Sequence, residues 1–173
     1  MAATFAWRED SGAASGTGGT TITTPTDVNW KNIGDSTTVY TAYPIVAGNN
    51  SFIKYQSGIL SGTWNAISNG KWAHTATAFG AGLTLNGKVT STYAAPVAAA
   101  MSSPTDMTTA IAIASGMTVN FVITGPGTAS PAASVTGGGT VYTQFLTSQL
   151  VTTASAVAGD TATVTLTLQY DEN

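Results

Sequence analysis

The sequence predicts an all-β protein, a single antiparallel β-sandwich of jelly-roll or Greek-key-like topology. The C-terminal stretch alternates Ala162, Val164, Leu166, Leu168 and Tyr170 with Thr163, Thr165, Thr167 and Gln169 without a break. In an extended chain this sets an apolar face against a hydroxyl-bearing one, and β-branched residues suit a pleated, half-buried surface. Turn-forming residues recur at short intervals through the rest of the chain, as an all-β sandwich requires. Finally, 173 residues with 43% hydrophobic content suffice for one domain around one core.

Residues 1–27 read as an extended N-terminal arm. Phe5, Ala6 and Trp7 precede Arg8-Glu9-Asp10 and the flexible run Ser11–Thr20. An aromatic anchor ahead of a leash fits a segment that docks on another surface; an ordinary first strand followed by a loop fits equally well. Residues 28–173 make up the sandwich. Its first part holds Trp30, Tyr40, Tyr43, Phe52, Tyr55, Trp64 and Trp72, with Gly48–Ser51 dividing Thr37–Val46 from Ser51–Ser57, and Ser61-Gly62 ahead of Thr63–Ile67. Asn69-Gly70 separates Trp64–Ile67 from Lys71–His74, and Asn86-Gly87 separates Leu83–Leu85 from Lys88–Tyr93. Both are the pattern of a two-residue hairpin turn. The Ala- and Pro-rich stretch Ala94–Pro104 reads as a connection between sheets carrying one short helical turn. Thr108–Ala114 and Met117–Thr124 read as strands, and Gly125–Gly139 as a long irregular loop. The apolar spacing of Tyr142, Phe145, Leu146 and Leu150 in Val141–Thr153 also fits a helix, but the β-branched content and the paired last strand favour a strand, which Ala154–Gly159 joins to that last strand as a hairpin.

Composition narrows the functional classes. Charged residues make up 8% of the chain, against roughly 25% in typical soluble domains. The five basic residues, Arg8, Lys31, Lys54, Lys71 and Lys88, lie apart with none after residue 88, and the net charge is −3. That leaves no electrostatic footprint for a nucleic-acid backbone. The lack of cysteine excludes disulfides and thiolate metal sites. The start lacks the basic and apolar regions of a Sec signal, and no window approaches the roughly 18 apolar residues of a membrane helix. A surface of hydroxyls and amides is cheaper to cover with protein than a charged one, and it lacks the repulsion that keeps monomers apart. The expectation is an assembly component, made in a cytoplasm and used outside it.

Chemistry-bearing side chains are sparse. A triad or zinc site needs histidine with matched partners, so the lone His74 reads as a structural or surface residue. Glu9-Asp10 and Asp171-Glu172 are the only adjacent acidic pairs. Strand geometry splits each across two faces, and both read as solvated termini. Gly16–Gly19 and Gly137–Thr140 lack the Lys-Ser/Thr and helix opening of a phosphate cradle. Asn49-Asn50-Ser51 matches a glycosylation sequon but reads as a turn. No catalytic residue, cofactor or metal is assigned, and a non-enzymatic protein is expected. Trp and Tyr on a sheet face can stack on sugars or anchor an interface, although packing into a core short of Leu and Ile is the weightier reading of the aromatic block.

Trp30–Ile33, Tyr43–Phe52, Ser61–Gly70, Trp72–Thr75 and the closing Ala158–Asp160 and Leu166–Glu172 together resemble the small β-rich virion structural proteins of tailed phages, particularly those of cyanobacterial phages. The resemblance spreads over most of the chain from about residue 28 onwards. It implies a capsid decoration (cement) protein located in the virion. The implied partners are the major capsid protein or other virion proteins, and copies of itself in a homo-oligomer such as a trimer, with neither nucleic acid nor membrane. Interface positions are expected at Phe5, Trp7, Arg8, Trp30, Tyr40, Tyr43, Trp64 and Trp72. The alternative is a tail or head appendage that binds a host receptor or glycan through exposed aromatics.

Overall fold

The computed structural model describes residues 3–15, 18–22, 29–127, 130–159 and 163–173. These form twelve strands: β1 (Thr4–Ser15), β2 (Gly18–Ile22), β3 (Lys54–Gly62), β4 (Ala66–Ala76), β5 (Leu83–Thr90), β6 (Thr105–Asp106), β7 (Met117–Thr118), β8 (Phe121–Val122), β9 (Ser134–Thr136), β10 (Gly139–Thr143), β11 (Phe145–Thr152) and β12 (Val164–Glu172). Short 3-10 turns occur at Tyr40–Ala42 and Ile113–Ser115.

The strands pair antiparallel in two sheets. The larger has eight strands in the order β2-β1-β3-β11-β5-β6, with β10 also beside β3 and carrying β8 on its far side. The smaller has four, β12-β4-β7, with β9 on the same side of β4 as β7. Their facing sides share a core, as the alternation predicts. Trp72 of β4 packs with Leu85 of β5 and Leu146 of β11, flanked by Trp7, Leu166 and Leu168. The rings of Trp7 and Trp72 stack with centroids 5.1 Å apart. A second cluster joins Leu60, Phe121 and Val141 of the larger sheet to Ile67 and Val135 of the smaller, with Trp64 between. The molecule is an all-β sandwich.

Several local expectations are corrected. Neither Asn-Gly pair makes a hairpin, because β4 and β5 run straight through them. Asn69 takes a positive φ of 55°, yet the result is a bulge: Gln169 faces Lys71 and Asp171 faces Ser68, so β4 carries the extra residue. Glycine serves close approach at both places. A Cβ on Gly70 would lie 2.6 Å from the Val119 carbonyl oxygen, and one on Gly87 would lie 1.9 Å from the Met107 sulfur. Thr37–Val46 forms a loop around a 3-10 turn instead of a strand. Thr108–Ala114 contributes only a bridge, Ile111 to His74. The Ala/Pro-rich connection has no helical turn and links β5 to β6 within one sheet. β11 and β12 do not form a hairpin: β12 pairs with β4 in the opposite sheet.

Within the arm expected over residues 1–27, Thr4–Ser15 are built into the larger sheet. β1 pairs with β3 from Thr4 opposite Ser61 to Asp10 opposite Tyr55, and turns back on β2. The ordinary-strand reading therefore applies there, while residues 23–28 lie outside the described residues.

Candidate interaction surfaces

The outer face of the larger sheet is closed. β3 and β11 are buried on both sides over most of their length. Tyr55, Tyr93 and Phe145 form an aromatic cluster on that outer side, Tyr55 meeting the other two edge-on at 4.8 and 5.5 Å. Tyr93 arrives from the connection between β5 and β6, which folds back over the sheet. Gln149 ties this cover down: its amide nitrogen donates to the carbonyls of Ser51 and Ala99 at 2.9 and 3.0 Å, and its oxygen accepts from the Met101 N–H at 3.1 Å. The Tyr93 hydroxyl donates to the Gly12 carbonyl at 2.9 Å. Burial, with Asp10 and Tyr55 nearby, pushes its pKa up to about 12.

Charge is turned inwards. Arg8, Glu9, Asp10, Lys31 and Lys54 are all buried. Arg8 pairs with Asp10 at 3.0 Å on the outer side of β1, its guanidinium 5.4 Å from the centre of the Tyr142 ring. Glu9 points to the opposite side and pairs with Lys54 at 2.8 Å, with a further bond from the Gln56 amide at 3.2 Å. Glu9-Asp10 is thus split across two faces as strand geometry requires, but neither carboxylate is solvated. Charges removed from water need partners of this kind. His74 is buried too, its Nε2 2.8 Å from the Met107 carbonyl oxygen, which is a structural placement.

The loop after residue 38 projects outwards, with Val39, Tyr40, Tyr43 and Val46 exposed. Its base is pinned by the fully buried Lys31, which donates to the Thr38 carbonyl and pairs with Asp35 at 3.3 Å. Burial alone would raise the Asp35 pKa; hydrogen bonds from the Thr38 hydroxyl, the Thr38 and Thr37 N–H groups and Lys31 outweigh it and lower it to about 2. A depressed carboxyl stabilises the fold above its ordinary range and loses that contribution as pH falls towards 2, so the anchor holds at neutral pH.

The outer face of the smaller sheet is open. Side chains along β12 alternate between half-buried and exposed without interruption. Thr165, Thr167 and Gln169 point outwards beside Thr75 of β4. The cation on this face, Lys71, donates to the Ala114 carbonyl at 3.1 Å at one end. At the same end Asp171 continues the exposed side of β12 and accepts from the Asn69 amide at 2.7 Å, so the hydroxyls of Thr75, Thr165 and Thr167 form an uncharged strip that Lys71 and Asp171 border beside Gln169.

The interface positions expected from sequence divide sharply. Phe5, Tyr40 and Tyr43 are exposed, 41%, 48% and 43% respectively. Trp7 and Trp30 are half-buried, and the Trp30 indole donates to the Ser148 hydroxyl at 3.1 Å. Arg8, Trp64 and Trp72 are corrections: Arg8 is held in its ion pair, and both tryptophans lie in the core at 5% and 0% exposure. A ring with no accessible face cannot stack on a sugar or anchor a partner. The position missed by aromatic-led reasoning is Thr75, whose orientation depends on its pairing with Thr165.

Compared with protein-family models, curated proteins and solved structures, the chain matches none. Among the described residues no helix is long and apolar enough to cross a membrane, and no group of three or more His, Cys, Asp and Glu side chains could hold a metal ion.

Proposed function

We propose that this chain is a non-enzymatic structural protein of a virion, a decoration protein that binds the outer surface of a capsid and stabilises the shell. The observation that carries the reading is the uncharged stretch of Thr75, Thr165 and Thr167 on the open face, with charge confined to its Lys71–Asp171 end, in a molecule that buries five of its charged side chains. Covering hydroxyls and amides costs far less desolvation than covering charges, so such a face suits a broad protein contact. Across a shell, many copies add weak contacts to one another through multivalency. Phe5 on the first strand and the Tyr40–Tyr43 loop supply exposed aromatic anchors.

Mixing the purified chain with expanded, DNA-free shells of the encoding virus and sedimenting the particles tests this. Saturable co-sedimentation is expected. A chain left in the supernatant overturns the decoration reading. The appendage alternative no longer has Trp64 or Trp72 for a glycan, and rests on Tyr40 and Tyr43. Glycan binding that disappears in Tyr40→Ala, without any binding to shells, would establish it instead.

A further inference from the structure

Among the described residues, the smaller sheet ends in an open edge at β12, which pairs with β4 alone. At one end of this ladder the Thr77 N–H donates to the Thr163 carbonyl at 3.0 Å; at the other, Asn173 and Ala66 exchange bonds of 2.9 and 3.2 Å. Antiparallel ladders alternate bonded and non-bonded pairs, and the bulge lies in β4. Odd-numbered residues of β12 therefore turn their N–H and C=O groups to β4, while Val164, Leu166, Leu168 and Tyr170 turn theirs outwards.

Natural edges of this length are ordinarily blunted by lysine, proline or a bulge. From Val164 to Tyr170 the strand has none of these. The core-facing side chains of Val164, Leu166, Leu168 and Tyr170 are also left half-buried.

We propose that two copies of this chain pair through β12, antiparallel about a two-fold axis at Thr167, so that the smaller sheet runs from one copy into the other. In this register Leu166 faces Leu168 and Val164 faces Tyr170, and each of these pairs exchanges two backbone hydrogen bonds. Thr165 faces Gln169, and Thr167 faces its own counterpart. Core-side residues meet core-side residues, because a shift by one position would exchange the faces. Charge selects the direction. Antiparallel pairing sets Asp171 opposite Thr163, whereas parallel pairing would bring Asp171 and Glu172 beside their own copies. A two-fold contact also closes on itself and leaves no β12 edge free to propagate a fibre. The inference stands on the edge geometry and does not depend on the virion reading.

The chain has no cysteine, so a single introduced thiol reports its own neighbour. Thr167 and its counterpart form a non-bonded pair at the axis, where side chains approach closely. Mild oxidation of Thr167→Cys is expected to yield a covalent dimer, and Thr75→Cys, on the same face but on the inner strand, to yield none. Thr167→Lys is expected to weaken the dimer several-fold in sedimentation equilibrium, because two like charges meet at the axis, while its unfolding midpoint matches the wild type at dilutions where both are monomeric. A wild-type chain that stays monomeric at every concentration overturns the proposal, as does a dimer that Thr167→Lys leaves intact or that Thr167→Cys fails to trap.

Discussion

The two sheets share one core but treat their outer faces in opposite ways. On the larger, the chain covers itself: the connection after β5 brings Tyr93 onto Tyr55 and Phe145, and Gln149 fastens the cover. On the smaller, Thr75, Thr165, Thr167 and Gln169 are left to solvent. A sheet covered on both sides contributes stability and offers little to a partner. A sheet covered on one side presents a preformed surface whose burial needs another molecule.

Phe145→Ala sharpens this contrast most. Phe145 is fully buried on the outer side of the larger sheet, and its truncation should cost about 3–5 kcal/mol in denaturant unfolding. Thr165→Ala, on the outer side of the smaller sheet, should stay within about 0.5 kcal/mol. Equal costs at the two positions would erase the distinction.

The buried charges extend the test to the inner side of the larger sheet. Lys54→Met strands Glu9 away from water and should cost about 3–5 kcal/mol, whereas adding Glu9→Leu to it should recover most of the loss. If the double variant is no more stable than the single one, the pair does not act as a unit.

A smaller effect follows from Tyr93. Its folded pKa of about 12 lies above the ordinary value of 10.0, so the cover favours the neutral phenol. That contribution is complete below pH 10 and disappears as pH rises towards 12, because the unfolded chain ionises first. Tyr93→Phe should flatten the loss of stability in an alkaline titration followed by fluorescence.

The same contrast explains what could be read from the sequence. β12 was legible because one side is open, which imprints a period of two on Val164–Tyr170. β3 and β11 carry no such imprint, since polar Gln56, Ser57, Thr147 and Gln149 are buried on covered faces, where Gln56, Thr147 and Gln149 make hydrogen bonds. Their polar side chains look like surface until the cover is in place. The Asn-Gly pairs misled for a different reason: glycine also marks close approach, and the atoms approaching Gly70 and Gly87 come from Val119 and Met107. No local pattern links Glu9 to Lys54 across 45 positions. Trp64 and Trp72 sit among turn and strand signals that give no indication of facing, and pairing decides it: Trp72 lies opposite Leu168, on the core side.

The most direct test of the open face as a contact surface is the shell occupancy of Thr75→Lys, measured with its unfolding midpoint. Thr75 lies on the exposed side of β4, away from the β12 edge, so the charge should leave both fold and self-pairing unchanged. The account predicts a normal midpoint and strongly reduced occupancy, because a lysine ammonium would have to be desolvated in the contact. Full occupancy by the folded variant would contradict it.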